Sequence, residues 1–93
     1  MTKIAIKTEQ LSDNKLKVAL YVTLSNFSKE YTFVEEFKRP LTKSICEWLA
    51  YNVLEKNLPT IEEDLKKNGI EPSSYFIISK ETVLLPKSNN IRS

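Results

Sequence analysis

Few residues of this chain could do chemistry, because its 93-residue sequence contains one cysteine, one glycine and no histidine. Without histidine, neither a Ser-His-Asp nor a Cys-His catalytic arrangement can form, and a Cys/His zinc site cannot form within one chain. A single glycine excludes the glycine-rich loops that bind phosphate groups. The composition therefore predicts a protein that is not an enzyme and that uses no metal or other cofactor.

Carboxylates are the remaining candidates for acid–base chemistry. Glu35 and Glu36 are neighbours on a predicted strand, so their side chains point to opposite faces of the sheet and cannot cooperate. The acidic residues at 62–64 lie in the first turn of a predicted helix, where they compensate the helix dipole. Neither pattern indicates catalysis.

The segment at 44–54, SICEWLAYNVL, contains the only cysteine and the only tryptophan. Cys46 lies on the apolar arc of a predicted helix, which indicates a buried core residue rather than a reactive thiol. Trp48 lies at the border of that arc, and Tyr51 lies one step further into the polar arc. Aromatic residues at such a border either cover the edge of the core or bind a partner, since they are enriched in binding hot spots.

A small basic pair, Lys38 and Arg39, precedes Pro40 where the third strand meets the helix. We count this pair among the candidate contacts, and Glu35 and Glu36 balance its charge. The candidate partner-binding residues are Trp48, Tyr51, Glu55, Lys38 and Arg39.

A second surface is offered by the lysines of the first predicted hairpin. Lys3, Lys7 and Lys17 share one face with Tyr21, and lysines with an aromatic residue can bind single-stranded nucleic acid. Lysines on strands also solvate a face and protect sheet edges, and a net charge of +2 favours no partner by itself. Nucleic-acid binding through these four residues is therefore the alternative function.

The elements that position these residues are predicted by hydrophobic periodicity. Alternation with a period of two predicts strands at residues 3–8, 15–24 and 30–37. Residues 74–85 form a last extended segment, either one strand with a bulge or two short strands.

Two helices are predicted between the third and the last strand. The first runs from Leu41 to Lys56 and is ended by Pro59. Thr60 and Glu63 form a capping box for a second helix, which stops at Asn68–Gly69. The apolar arc of the first helix is wider than one sheet face needs, so a further element or a partner must cover part of it.

The resulting order is β-β-β-α-α-β. It predicts an α+β fold, a two-layer sandwich in which a mainly antiparallel sheet carries the helices on one face. We expect residues 1–86 to form a single compact domain and residues 87–93 to form a flexible C-terminal tail.

These features predict a small non-enzymatic protein that acts by contact, as an inhibitor or adaptor of a larger protein or ribonucleoprotein complex. Small domains of this kind are common in phages and mobile elements. On that general ground alone, inhibition of a CRISPR complex, an anti-CRISPR-like role, is the particular expectation.

Two further expectations concern assembly and location. An exposed strand edge or the first helix offers a route to a homodimer. The N-terminal residues lack the apolar run of a signal peptide, and the apolar runs elsewhere are too short to span a bilayer. We therefore expect a cytoplasmic protein that does not bind membranes.

Overall fold

The computed structural model of the chain describes residues 2–24, 26–71 and 74–86. In this part the chain forms strands β1 (Thr2–Ser12), β2 (Lys15–Leu24), β3 (Phe27–Glu36) and β4 (Tyr75–Val83), and helix α1 (Lys43–Lys67). The fold is α+β, as predicted, but the order is β-β-β-α-β rather than β-β-β-α-α-β. The predicted tail, residues 87–93, lies outside the described residues.

The four strands form one sheet in the order β3-β2-β1-β4. β2 pairs antiparallel with β1 and with β3, whereas β4 pairs parallel with β1. The sheet is therefore mixed: β1, β2 and β3 form an antiparallel meander, and β4 adds one parallel pairing at the edge. α1 carries the chain from β3 at one edge to β4 at the other, in the way that parallel strands require a crossover.

The last extended segment is one strand with a bulge, the first of the two predicted alternatives. Ile4 pairs with Ile77, but the next residue, Ala5, pairs with Ser79. Ile78 is therefore the extra residue of the bulge. Before it the odd-numbered Ile77 pairs with Ile4 on the core face, and after it the even-numbered Lys80 pairs with Ile6 on that face.

The core lies between one face of the sheet and α1. Alternate residues of β1 and β2 are buried, which is the period expected of strands covered on one side. In the hydrophobic core cluster, the sheet residues are Ile4, Ile6, Leu16, Val18, Leu20, Val22 and Tyr31, and the helix residues are Cys46, Ala50, Val53, Leu54, Ile61 and Leu65.

The prediction of two helices was wrong, because α1 continues through Pro59. Leu54, Ile61 and Leu65 lie on one buried face across that position, and burying each such side chain stabilises the fold by about 1.5–3 kcal/mol. Together these gains exceed the cost of about 3 kcal/mol for an interior proline. Pro59 itself is exposed, so its ring does not disturb the core.

Both ends of α1 are fixed by local hydrogen bonds. At the N-terminus, Thr42 Oγ1 accepts a hydrogen bond of 3.2 Å from the Ile45 amide, as a helix cap does. At the C-terminus, the Ile70 amide donates to the Leu65 carbonyl and the Gly69 amide to the Lys66 carbonyl. Gly69 has φ 75°, so these bonds form a Schellman motif at the stop predicted for Asn68–Gly69.

Candidate functional site

A surface groove with a volume of about 590 Å³ lies between α1 and β3. Its apolar lining consists of Phe33, Phe37, Trp48, Leu49 and Val53. Phe33, Phe37 and Leu49 are only partly buried, although they pack against the core. The helix therefore leaves part of the apolar face of β3 open, and we call this surface the Trp48 groove.

The position of the groove follows from the way the chain leaves β3. The Phe37 amide donates to the Asn14 carbonyl at 2.8 Å, and Asn14 Nδ2 donates to the Phe37 carbonyl at 2.7 Å. The Leu41 amide donates to the Asp13 carbonyl at 2.8 Å. The turn between β1 and β2 thus holds the connection that leads into the Thr42 cap, and the helix starts beside the end of β3.

Trp48 stands at the rim of this groove with 64% of its surface exposed. The sequence left open whether Trp48 covers the edge of the core or contacts a partner. A tryptophan with that exposure adds little to the core, and it presents an indole ring beside an open apolar surface. Glu55 lines the same groove two turns further along the helix.

A second depression of about 280 Å³ adjoins the Trp48 groove, since Phe37 lines both. Lys38, Arg39, Leu41 and Ile45 are among its other lining residues, and we call it the basic depression. The structure therefore places four of the five predicted partner-binding residues in two adjoining concavities that share Phe37: Trp48 and Glu55 in one, Lys38 and Arg39 in the other.

Tyr51, the fifth predicted residue, lines neither concavity and faces β4 instead. Lys80 Nζ donates a hydrogen bond of 3.0 Å to Tyr51 Oη and lies 4.6 Å from the centre of its ring. The hydrogen bond to Tyr51 raises the pKa of Lys80. Tyr51 therefore joins α1 to β4, and its contact with a partner stays a prediction.

The charges of the Trp48 groove are Glu35 on the side of β3, and Glu55 and Lys56 on the side of α1. Among the described residues, the ion pairs within 4 Å join Lys29 with Asp64 and Lys67 with Glu63. Within that part of the chain, the two groove carboxylates consequently form no ion pair.

The residues of the nucleic-acid alternative lie together on the face of the sheet opposite α1. Lys7, Lys17 and Tyr21 surround a depression of only about 50 Å³, whereas ligand pockets measure about 300–1,000 Å³. Lys3 lies further along the same face and pairs in register with Phe76, a second exposed aromatic residue that the sequence analysis did not place there.

Acidic residues balance the lysines of this outer face. Glu9 lies opposite Lys17, and Glu81 lies opposite Lys7 in the strand pairing. Glu36 lies opposite Lys15 in the same way. This alternation of signs weakens the attraction that the face exerts on a phosphate backbone.

Cys46 is fully buried, which confirms its prediction as a core residue. Burial, with a smaller contribution from Glu47, raises the pKa of its thiol. In the ranges 2–24, 26–71 and 74–86, no three cysteine or carboxylate side chains group as metal ligands would.

The exposed sheet edges are β3 and β4. The start of β4 is apolar, with Tyr75, Phe76 and Ile78 exposed. The bulge at Ile78 and the charge of Lys80 on the helix side of the strand both hinder pairing with another strand. A homodimer through this edge stays a prediction.

Phe33 and Phe37, which form the floor of the groove, were not among the site residues predicted from the sequence. One signal could have found them: Glu35 shares their face of β3, and a carboxylate within an aromatic row indicates an incompletely covered surface.

No protein-family model, curated protein or solved structure shows significant similarity to the chain. The helix of the described region does not combine the length with the apolar character that crossing a membrane requires.

Proposed function

We propose that this chain is a non-enzymatic binding domain that acts as an inhibitor or adaptor by docking a partner protein on the Trp48 groove. The partner would be a larger protein or a ribonucleoprotein complex. The observation that carries this proposal is the exposure of Trp48 beside an open apolar surface that the fold leaves uncovered.

Three features support contact rather than catalysis. The sequence contains no histidine, and its only thiol, Cys46, is buried. The groove instead combines an aromatic rim, an apolar floor and charged residues at the sides, which is the arrangement of protein-binding hot spots. The particular partner that we propose is a CRISPR complex, on the general ground that small domains of this kind are common in phages and mobile elements.

The test is affinity capture from a host lysate with the tagged protein, performed with and without nuclease. A matched control for Trp48→Ala is Phe76→Ala, which removes an exposed aromatic side chain from the other face of the sheet. We expect a stoichiometric protein partner that survives nuclease, is lost with Trp48→Ala and is retained with Phe76→Ala.

Two outcomes contradict the proposal. A partner retained equally by Trp48→Ala would show that docking occurs elsewhere. Recovery that disappears with nuclease and with the combined change Lys7→Glu and Lys17→Glu would instead favour nucleic-acid binding, whose affinity falls steeply with salt.

A further inference from the structure

The Trp48 groove and the basic depression adjoin at Phe37, which lines both, and we call the two together the channel. Its two parts carry opposite charges, and a segment that lies across both must cross the Phe37 side chain. Glu35 and Glu55 outnumber Lys56 in the groove, whereas Lys38 and Arg39 are the charged residues of the depression. The surface is therefore bipolar rather than uniformly charged.

The length of this channel can be measured along α1, from Ile45 in the basic depression to Lys56 in the Trp48 groove. At 1.5 Å per residue, this stretch of helix measures about 17 Å. An extended segment of about five residues has the same length. The channel therefore fits a short linear segment better than a broad flat surface.

We infer that the channel binds a linear segment of the partner protein that has an apolar or aromatic centre between one acidic and one basic residue. The acidic side chain lies by Lys38 and Arg39, the apolar centre lies between Phe37 and Trp48, and the basic side chain lies by Glu55. This inference rests on the proposed function and adds the chemistry of the partner to it.

Charge complementarity is what selects this occupant. A purely apolar segment would leave the groove carboxylates and the basic pair without partners as the surface loses water, which is costly. An acidic polymer such as nucleic acid would meet Glu35 and Glu55 with like charge. A segment with both signs satisfies both parts of the channel and also fixes its own direction.

The test uses a random twelve-residue peptide library displayed on phage and selected against the intact chain. We expect enriched peptides to carry an apolar or aromatic centre flanked by Asp or Glu on one side and Lys or Arg on the other. The combined change Glu35→Lys and Glu55→Lys should weaken these peptides about tenfold or more, as reversal of partly desolvated charge pairs does.

The matched control is the combined change Glu62→Lys and Glu63→Lys, which alters the net charge equally at exposed positions outside the channel. It should leave peptide binding unchanged. Reselection on the Glu35→Lys, Glu55→Lys variant should replace the basic residue of the enriched peptides by an acidic one, a switch that loss of folding cannot produce.

The outcomes separate the inference from the function on which it rests. Peptides that need Trp48 but show no charge preference contradict the inference and leave the proposed function intact. Peptides that bind equally to Trp48→Ala contradict both. Failure to enrich any peptide contradicts the inference that a linear segment suffices.

Discussion

The hydroxyl of Tyr31 on β3 donates a hydrogen bond of 2.6 Å to Oδ2 of Asp64 on α1. Lys29 Nζ lies 2.9 Å from the same oxygen and 4.9 Å from the centre of the Tyr31 ring. Burial and the neighbouring Asp64 raise the pKa of Tyr31, so its hydroxyl stays protonated as a donor. This cluster ties the second half of the helix to the edge strand.

The Asp64 cluster predicts that the free energy of unfolding falls in acid. Hydrogen bonds from Tyr31 and Lys29 hold the pKa of Asp64 below its ordinary value of 3.8. The unfolded chain therefore binds this proton first, and the stabilisation present above pH 3.8 is lost as the pH falls through the lower folded value. Urea denaturation should show that Asp64→Asn is less stable than wild type at neutral pH. A difference that stays constant down to about pH 2 would contradict this account.

We expect Thr8→Val to raise the free energy of unfolding by about 1 kcal/mol. Thr8 Oγ1 is buried on the core face of β1 and has no hydrogen-bond partner among the described residues. Valine has nearly the same shape and carries no polar atom to desolvate. Thermal or urea denaturation measures the change, and Thr23→Val at an exposed position is the control. A loss of stability would contradict this account, because it would show that the Thr8 hydroxyl forms a hydrogen bond in solution.

Pro59→Ala tests whether α1 is continuous. In one helix, the Glu55 carbonyl lacks the donor that residue 59 would supply, so alanine should stabilise the protein by about 2 kcal/mol and keep its helical circular dichroism. In two helices separated at this position, the proline would lie outside both, and its removal would leave stability unchanged or lower it. A continuous helix therefore predicts that Pro59→Ala raises the free energy of unfolding, whereas two helices predict no increase.

Burial of Cys46 predicts slow reaction with a thiol reagent in the native protein and fast reaction in denaturant. The raised pKa of the thiol reduces its thiolate fraction further. Because the chain has one cysteine, the labelled fraction reports this site alone. Fast labelling under native conditions would contradict the packing of α1 on the sheet.

Trp48 and Leu54 lie on the same helix but should differ strongly when changed to alanine. Trp48→Ala should alter stability by no more than about 0.5 kcal/mol, because the side chain is mostly exposed. Leu54→Ala removes a fully buried side chain and should cost about 2–5 kcal/mol. Denaturation of both variants, followed by circular dichroism, makes the comparison. A large loss for Trp48→Ala would identify it as a core residue.

The three strands of the meander could be predicted because alternation is a local signal. The bounds of β2 agree with the prediction at both ends, and the Asn68–Gly69 stop was confirmed by its hydrogen bonds. The continuity of α1 was missed because proline and a capping box are also local signals. The burial of Ile61 and Leu65 against the sheet stabilises a continuous helix and outweighs these local signals. That burial depends on the tertiary structure and not on the local sequence.

The groove could be predicted only in part. Helical periodicity predicts that Trp48 lies at the border of the apolar arc. The position of Lys38 and Arg39 just before Pro40 predicts that they lie at the junction of the third strand and the helix. The open floor at Phe33 and Phe37 depends on where α1 crosses the sheet, and no local pattern contains that information. The partner of Tyr51, Lys80, comes from a strand whose parallel pairing the sequence does not specify.

The parallel pairing of β4 with β1 has a consequence for synthesis on the ribosome. The pairings of β1 with β2 and of β2 with β3 join neighbours in the sequence and can form early. The other edge of β1 pairs with β4, as Thr2 does with Tyr75, so this edge stays unpaired until β4 has been synthesised. Contacts between residues so distant in sequence form late and slowly. During translation, β1 therefore keeps an unpaired edge until β4 has left the exit tunnel, and a nascent chain stalled before Tyr75 would expose that edge to other nascent chains.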